Sequence, residues 1–419
     1  MRFLRLQSAL FLSSLLATTV LFAAEWPQYR GPQQSGISTE TINLPWKGDG
    51  PKVLWKTPTN TGFSSFTVAG GKAFTQVVRE IGGEPREVCL ALDAATGKEL
   101  WVADIGLGKG YSGGGDGDGP RSTPTIVDGR VYLISPTIEV FCVDAETGKK
   151  VWSYDVLKEH NGKSIGWRSA ASAVIDGDLL FVGGGGAGQS LLALNKDTGK
   201  VVWKTQDETI THATPVVATI LGQRQVIFFL KKGLLSVSTS DGKALWNFPF
   251  KFNVSTAISP VVSGDIVYCS AGYGVGGGAC RIVKTGDGFE AKELWKIAGD
   301  KLVANHWSTP ICKDGHLYGM FCFKKFKTGP LKCVELATGN VVWEQPGFGQ
   351  GNVTLVGDKL LALNDQGELV VVEATPSAYK EVGRTKAVGG KCWSTPAISD
   401  GKIYIRSTTE GTCLDVGAK

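Results

Sequence analysis

The sequence predicts an all-β chain folded as an eight-bladed β-propeller of four-stranded blades with tryptophan-docking repeats. Three observations carry this. A phrase of the form Asp-x-x-Thr-Gly recurs, each time with a Trp four residues after the Gly. A second phrase, a short apolar strand running into Asp-Gly, precedes the first in most repeats. The last repeat is one strand short, and the start of the chain has one strand to spare.

Taken in order, Arg2 and Arg5 precede an apolar stretch from Ala9 to Ala24 that ends in small residues before Glu25. This reads as a secretory signal over residues 1–24, cleaved after Ala23 or Ala24. It is too short, and too closely followed by polar chain, to be a membrane span. The first cysteine is Cys89, so none stands at the cleavage site to carry a lipid. The expectation is an exported protein, periplasmic or extracellular, not lipid-anchored. Residues 25–50 open with Trp26-Pro-Gln-Tyr-Arg-Gly-Pro32, an extended segment expected to lie along the propeller and to bury Trp26 and Tyr29. Residues 51–419 form the propeller, with no break in composition to mark another domain.

The repeat has a clear local chemistry. Asp93-Ala-Ala-Thr-Gly97 leads to Trp101, Asp144-Ala-Glu-Thr-Gly148 to Trp152, and Asn195-Lys-Asp-Thr-Gly199 to Trp203. Gly242 leads to Trp246 and Gly339 to Trp343, while Gly286 reaches Trp295 after a longer turn. Asp or Asn starts such a turn by accepting bonds from the following backbone. Gly supplies the positive φ of a tight hairpin. A flat ring at one fixed place per repeat suits packing between neighbouring sheets, so these tryptophans read as structural docking residues. The second phrase, Ser122-Thr-Pro-Thr-Ile-Val-Asp-Gly129, has related copies from Ser169, Ala213, Ala257, Ser308 and Ser394, and degenerate ones near Ser64 and Gln350. The seventh repeat, from Gly349 to Val382, has lost its Trp. The eighth begins at Cys392 and stops after three strands. The segment Pro51-Lys-Val-Leu-Trp55-Lys is a Trp strand with no repeat before it, and pairing it with the eighth closes the ring and removes the open edges.

Composition narrows the function. The 56 Gly and 12 Trp suit short strands joined by tight turns, and the 42% hydrophobic content suffices for a large core. The net charge of +5 falls to +3 without Arg2 and Arg5, which gives no strong claim on nucleic acid. Nine cysteines include no adjacent pair and no Cys-x-x-Cys. Most read as small buried strand residues. Cys269–Cys280 and Cys322–Cys333, each flanking a hairpin, are the two candidate disulfides.

Most motif matches have ordinary readings. Gly183-x-Gly185-x-x-Gly188 is followed by a strand rather than the helix a dinucleotide site needs. Gly110-x-Ser112-x-Gly114 lies in a Gly-rich loop rather than a nucleophile elbow, and Asp116 and Asp118 alone make a poor calcium loop. The best constellation comes from the repeat itself. Three residues before the Pro position, the aligned copies read Arg121, Arg168, His212, Ala257, Trp307 and Trp393, with Trp167, His306 and Lys391 nearby. Equivalent positions in a propeller ring its axis. The candidate ligand mouth is therefore Arg121, Arg168, His212, His306, Trp307 and Trp393. It suits a small anionic, aromatic or sugar-like ligand, or a peptide. The competing reading is that these side chains cover strand ends and pair with loop acids.

The Asp-x-x-Thr-Gly-x-x-x-Trp phrase resembles the repeat of the pyrroloquinoline-quinone-like propeller superfamily over about residues 50 to 416. The resemblance implies one of two kinds of activity. Quinoprotein dehydrogenases hold the quinone PQQ and calcium over the propeller axis. Non-catalytic relatives include the propeller lipoprotein of the bacterial outer-membrane protein assembly machine. The chain is also similar to exported bacterial propellers that open with Trp-Pro-Gln-aromatic-Arg-Gly-Pro, here Trp26 to Pro32. It departs from the dehydrogenases in lacking vicinal cysteines, and from the lipoprotein in lacking a lipid-bearing cysteine. The expectation is a non-catalytic, monomeric binding scaffold of the cell envelope with a protein or peptide partner and no cofactor. The alternatives are a PQQ- and calcium-dependent alcohol or sugar dehydrogenase and a carbohydrate-binding or -processing propeller.

Overall fold

A computed structural model describes residues 24–46, 50–108, 119–252 and 254–417. The segment expected to be a secretory signal lies outside these residues but for Ala24, and so do Gly110, Ser112, Gly114, Asp116 and Asp118. Eight sheets follow one another along the chain. Blades 1 to 6 span residues 67–107, 125–155, 174–205, 216–249, 261–297 and 311–345, and blades 7 and 8 begin at residues 352 and 397. Among the described residues the one helix is Val156–Glu159. Among the described residues no helix is long and apolar enough to cross a membrane.

Ring closure follows the sequence expectation. Lys52–Pro58 pairs antiparallel with Glu410–Asp415 and becomes the outer strand of blade 8. Blade 7 runs to Lys386, four residues past the boundary drawn from the sequence at Val382.

The joints between blades explain the repeat. The indole of one blade lies on the turn glycine of the next. A Cβ on Gly97, Gly148, Gly199 or Gly242 would stand 2.6–2.7 Å from Trp55, Trp101, Trp152 or Trp203 respectively. Each of these glycines also has a positive φ, near 70°. The indole N–H donates to a carbonyl of the same turn: Trp55 to Ala94, Trp101 to Ala145, Trp152 to Lys196 and Trp203 to Thr239, at 2.9–3.1 Å. Trp295 on Gly339 and Trp343 at Thr375 donate in the same way. On its own sheet each Trp faces a small residue, such as Ala91, Cys142, Ala193 or Cys333. A fixed glycine and a fixed tryptophan are thus two halves of one contact made across a joint.

Two joints differ. Trp246 is buried but donates to Gln225 Oε1 of its own blade at 2.6 Å. The next blade has no tight Asp-x-x-Thr-Gly turn to receive it, because the strands Gly276–Thr285 and Gly288–Ile297 form a long hairpin. At the joint between blades 7 and 8 the Trp position holds Gly383, opposite Val371. Trp46, from the N-terminal segment, lies over this glycine, where a Cβ would stand 3.2 Å from its ring, and supplies the missing indole. Beside it the Asn43 N–H donates to Val416 O at 2.8 Å, where the chain end leaves blade 8 without its turn.

The cysteines correct one expectation, since all nine are free thiols. Cys269 faces Gly278 and Cys280 faces Val267, two steps out of register. Cys333 faces Tyr318 and Trp343, and Cys322 lies outside the strands.

Two substitutions test the joints. Gly148→Ala adds a methyl group to a left-handed residue lying on Trp101, and should cost about 2–4 kcal/mol of unfolding free energy. Trp46→Ala should cost about 2 kcal/mol although it lies outside the repeats. Denaturant titration measures both, and an unchanged midpoint for Trp46→Ala would remove its docking role.

Candidate functional site

The inner strands start the site. Each is short, and Pro124, Pro215, Pro260, Pro310 and Pro396 stand just before the inner strands of blades 2, 4, 5, 6 and 8, where no ladder N–H is needed. One residue earlier stands a hydroxyl that ties blade to blade. The N–H of Thr395 donates to Ser65 Oγ, Ser65 to Thr123 Oγ1, Thr123 to Ser172 Oγ, and Ser172 to Thr214 Oγ1, at 2.8–3.1 Å. Farther round, Ser259 donates to Thr309 Oγ1. Each bond contributes about 1 kcal/mol, and together they hold the wall of an axial well.

These bonds also set the register of the mouth. Two residues before each hydroxyl stand Phe63, Arg121, Ala170, His212, Ala257, Trp307 and Trp393, all of which line the well. Arg168, placed at the mouth from the sequence, is not among the lining residues, and Ala170 takes that position. The cause is local. Blade 3 has Ala173 in place of Pro, and its turn is Gly177–Asp178, one residue later than its Asp-Gly pair suggests. His306, Trp167 and Lys391 line the well as well. Sequence reasoning missed Phe63, Tyr273 and Tyr29. Phe63 sits in a degenerate copy of the phrase and Tyr273 in a hairpin loop, so neither carries a repeat signal.

The N-terminal segment forms the floor. Trp26 exchanges backbone bonds with Val68, and Pro27 O accepts from Ile126 N–H. Gln34 Oε1 accepts from Val217 N–H, and Ile37–Ser38 runs parallel to Leu355–Val356. Blades 1, 2, 4 and 7 are thus bridged by one stretch of chain. Arg30 is its anchor, donating to Thr309 O and Pro310 O of blade 6 and to Gln34 O and Ser35 O of its own loop. Trp26 is buried as expected, but Tyr29 is only half-buried, because its ring faces the well.

The well has a volume of about 310 Å³, and among the described residues its lining includes no Asp, Glu, Asn or Gln. One side is a run of rings. Phe63 stacks on Trp393 with centroids 4.6 Å apart, and Trp393 meets Trp307 at 4.7 Å. Trp307 contacts His306, which contacts Tyr273. Cations lie over these rings: Lys391 Nζ is 4.9 Å from Trp393, and Arg121 is 6.0 Å from Phe63. Arg121 Nη1 also donates to Trp167 O at 2.9 Å. Trp167 and Arg168 both hold a left-handed backbone, a strained pair at the rim.

Two histidines and one carboxyl are held neutral. Burial, reinforced by Arg121, lowers the pKa of His212 to about 4. Burial, with His212 and Lys324 adding to it, lowers that of His306 to about 3. Burial raises Glu87, beneath Arg121 and Arg168, to about 8 against their opposing charges. Its Oε1 has no hydrogen-bond partner. The arrangement can stack, pair with an anion and hydrogen-bond, but among the described residues it offers no strong base at neutral pH.

A family model described as outer membrane protein assembly factor BamB matches residues 85–319. The chain is 23% identical over 381 residues to outer membrane protein assembly factor BamB of Shewanella oneidensis, covering 78% of this chain and 91% of that protein. It is 29% identical over 203 residues to quinoprotein alcohol dehydrogenase PedH of Pseudomonas putida, covering 45% of this chain but only 31% of that enzyme. Among solved structures, the quinohemoprotein alcohol dehydrogenase from Comamonas testosteroni superposes with a TM-score of 0.67 at 12% identity, covering 94% of this chain and 81% of that one. BamB from Moraxella catarrhalis superposes at 0.58 and 14%, covering 86% and 98%. At these identities the superpositions show the propeller fold alone.

Glu87 gives a test with a definite sign. Its folded pKa lies above its unfolded value, so its contribution to stability is full below about pH 4.5 and is lost as pH rises toward 8. Glu87→Gln cannot ionise. Its melting temperature should therefore gain on that of the natural protein between pH 5 and 8. A difference independent of pH would contradict the buried, neutral carboxyl.

Proposed function

Because the chain belongs to the propeller family described as outer membrane protein assembly factor BamB, we propose that it is an exported binding scaffold of the cell envelope that holds a ligand or partner segment at its axial well and performs no chemistry of its own. The observation that carries this reading is the lining of the well. It joins stacked rings and cations to histidines whose pKa values lie near 4 and 3. Such imidazoles are poor bases at neutral pH, and the buried thiols are raised, Cys322 and Cys392 to about 12. Recognition groups are abundant and reactive ones are not.

The quinone-dependent alternative fits less well. Calcium takes carboxylate, amide, carbonyl or water oxygens. Among the described residues the lining supplies neither carboxylate nor side-chain amide, only hydroxyls and backbone carbonyls. The stacked rings would suit a planar quinone, but the donor set does not suit the metal that accompanies it.

Titration of the mature protein with PQQ and calcium, followed by dye-linked oxidation of alcohols and sugars, separates the readings. The expected result is no calcium-dependent rise in melting temperature and no turnover. Native mass spectrometry of protein isolated from the envelope fraction should show a non-covalent adduct that Trp393→Ala lacks. Calcium-dependent quinone binding with turnover would replace the scaffold reading by the dehydrogenase one.

A further inference from the structure

A loop of blade 6 extends the site beyond the well. It joins the strands His316–Met320 and Leu331–Glu335 and reads Phe321-Cys-Phe-Lys-Lys-Phe-Lys-Thr-Gly329, which matches neither repeat phrase. Its backbone is pinned. The Lys327 N–H donates to Asp365 Oδ2 and the Gly329 N–H to Lys325 O, both at 2.8 Å. Gly329 O accepts from the N–H groups of Phe348 and Gly349. Lys324 and Lys327 hold a left-handed backbone, with φ of 52° and 64°. Residues with a Cβ keep that conformation only where their surroundings impose it.

The pinned loop leaves the side chains from Lys324 to Thr328 exposed. Phe323 contacts Tyr273, His306 and Trp307 of the well. Phe326 is 48% exposed and lies near-parallel to Trp393, with centroids 6.0 Å apart. The aromatic wall thus runs out of the well to an open ring. Around that ring stand cations. Lys324 Nζ lies 4.9 Å from the Tyr273 ring, while Lys325 and Lys327 have no carboxylate partner among the described residues. Asp365 does not answer them, because its Oδ2 accepts from the backbone N–H groups of Lys327 and Gln350. Three ammonium groups within four residues repel one another, and carboxylates placed among them relieve that repulsion.

The well itself offers hydrogen bonds of both senses. His212 lines it and its Nδ1 has no partner. The ring bonds to the backbone of Arg168, a bond that favours protonation of the imidazole, so the ring donates. With Nδ1 unpartnered the donor is Nε2, and Nδ1 keeps a bare lone pair that calls for a donor. The hydroxyl oxygens of Ser65, Thr123, Ser172 and Thr214 each accept a backbone N–H, which leaves their own protons to give. A peptide group brings an N–H and a carbonyl together. A volume of about 310 Å³ admits one aromatic residue or the tip of a chain, not a folded element.

We propose that the rim and well together dock an extended acidic segment of a partner protein: its carboxylates meet Lys325 and Lys327, and an aromatic residue enters the well past Phe326, bringing a peptide N–H and carbonyl to the groups there. This rests on the binding reading above and names its partner chemistry. An acidic segment without a ring would leave Phe326 and the tryptophans uncovered, and a neutral ligand would leave the two lysines unanswered.

The test is fluorescence anisotropy of a labelled peptide of about ten residues, with Asp at alternate positions around one Trp, titrated with the mature protein. Two controls replace the Trp by Ser, or every Asp by Lys. The acidic Trp peptide should bind about tenfold or more tightly than either control, and unlabelled peptide should displace it. Raising the salt from about 50 to about 300 mM should weaken binding. Lys325→Gln with Lys327→Gln should weaken it about tenfold and flatten that salt dependence, with the melting temperature unchanged. Should the double variant fail to fold, the salt series and the two controls on the natural protein still decide. Equal binding of the basic control, a salt-independent affinity or an unaffected double variant would overturn the role of the loop. Equal binding of the Ser control would overturn that of the rings. Oligothymidylate binding as tightly as the peptide would overturn the peptide in favour of nucleic acid. No saturable binding at about 1 mM would overturn the proposal. If a Trp393-dependent adduct is still found, the partner chemistry alone is wrong and the binding reading survives; if none is found, both fall.

Discussion

An indole lying on a glycine closes each regular joint between blades, and the rest of the molecule depends on that contact. A four-stranded sheet with apolar faces cannot stand alone in water. It must bury both faces against neighbours, and the angle between them must repeat for the ring to meet itself. The indole sets that angle, since its ring fills the gap and its N–H fixes the neighbouring turn, as with Trp101 against Gly148 and Ala145 O. Any side chain on the glycine would push the blades apart. Where the contact is missing, the chain compensates. Trp46 lies on Gly383, and the long hairpin of blade 5 leaves Trp246 to bond within its own blade.

Closing the ring leaves a hollow axis, and the sequence fills it asymmetrically. One end is sealed by the N-terminal segment, with Arg30 bonded to four backbone carbonyls and no carboxylate, so its charge is dispersed into fixed dipoles. The other end is left as a well. The same segment that supplies Trp46 to an outer joint thus supplies Tyr29 to the floor of the site. Stability and recognition are coupled through this one stretch of chain. The walls are rigid because hydroxyls such as Thr123 and Ser172 are spent on neighbouring backbone N–H groups. Rings and cations placed on such walls are preorganised for a ligand.

Much of this was legible in the sequence because its signals are local. The spacing of Gly97 and Trp101 reports one turn and one strand, and repetition of that spacing reports the ring. The surplus strand at Trp55 could be matched to the short last repeat by counting. What the sequence concealed lies where a contact is made by a residue outside the phrase. Trp46 does the work of a repeat Trp but follows no turn glycine. Tyr29 belongs to a segment that carries no pattern of its own. Arg168 was misplaced because blade 3 lacks the Pro and shifts its turn by one residue, a change that only the cross-blade bond from Thr123 to Ser172 exposes. Phe63 was hidden in a degenerate copy for a similar reason. A repeat alignment thus places most of the mouth, and hydrogen bonds between blades are needed to place the rest.

The chemistry of the well turns on the state of one imidazole. With only four histidines in the chain, the ring nitrogens of His212 can be assigned by substitution and read by nitrogen-15 NMR. At about pH 5.5 the expected spectrum is that of a neutral ring protonated on Nε2, unchanged until the pH falls toward 4. An imidazolium at that pH, or a proton on Nδ1, would contradict it. The well would then present a donor or a charge where a bare acceptor is expected, and the inert lining would lose its basis.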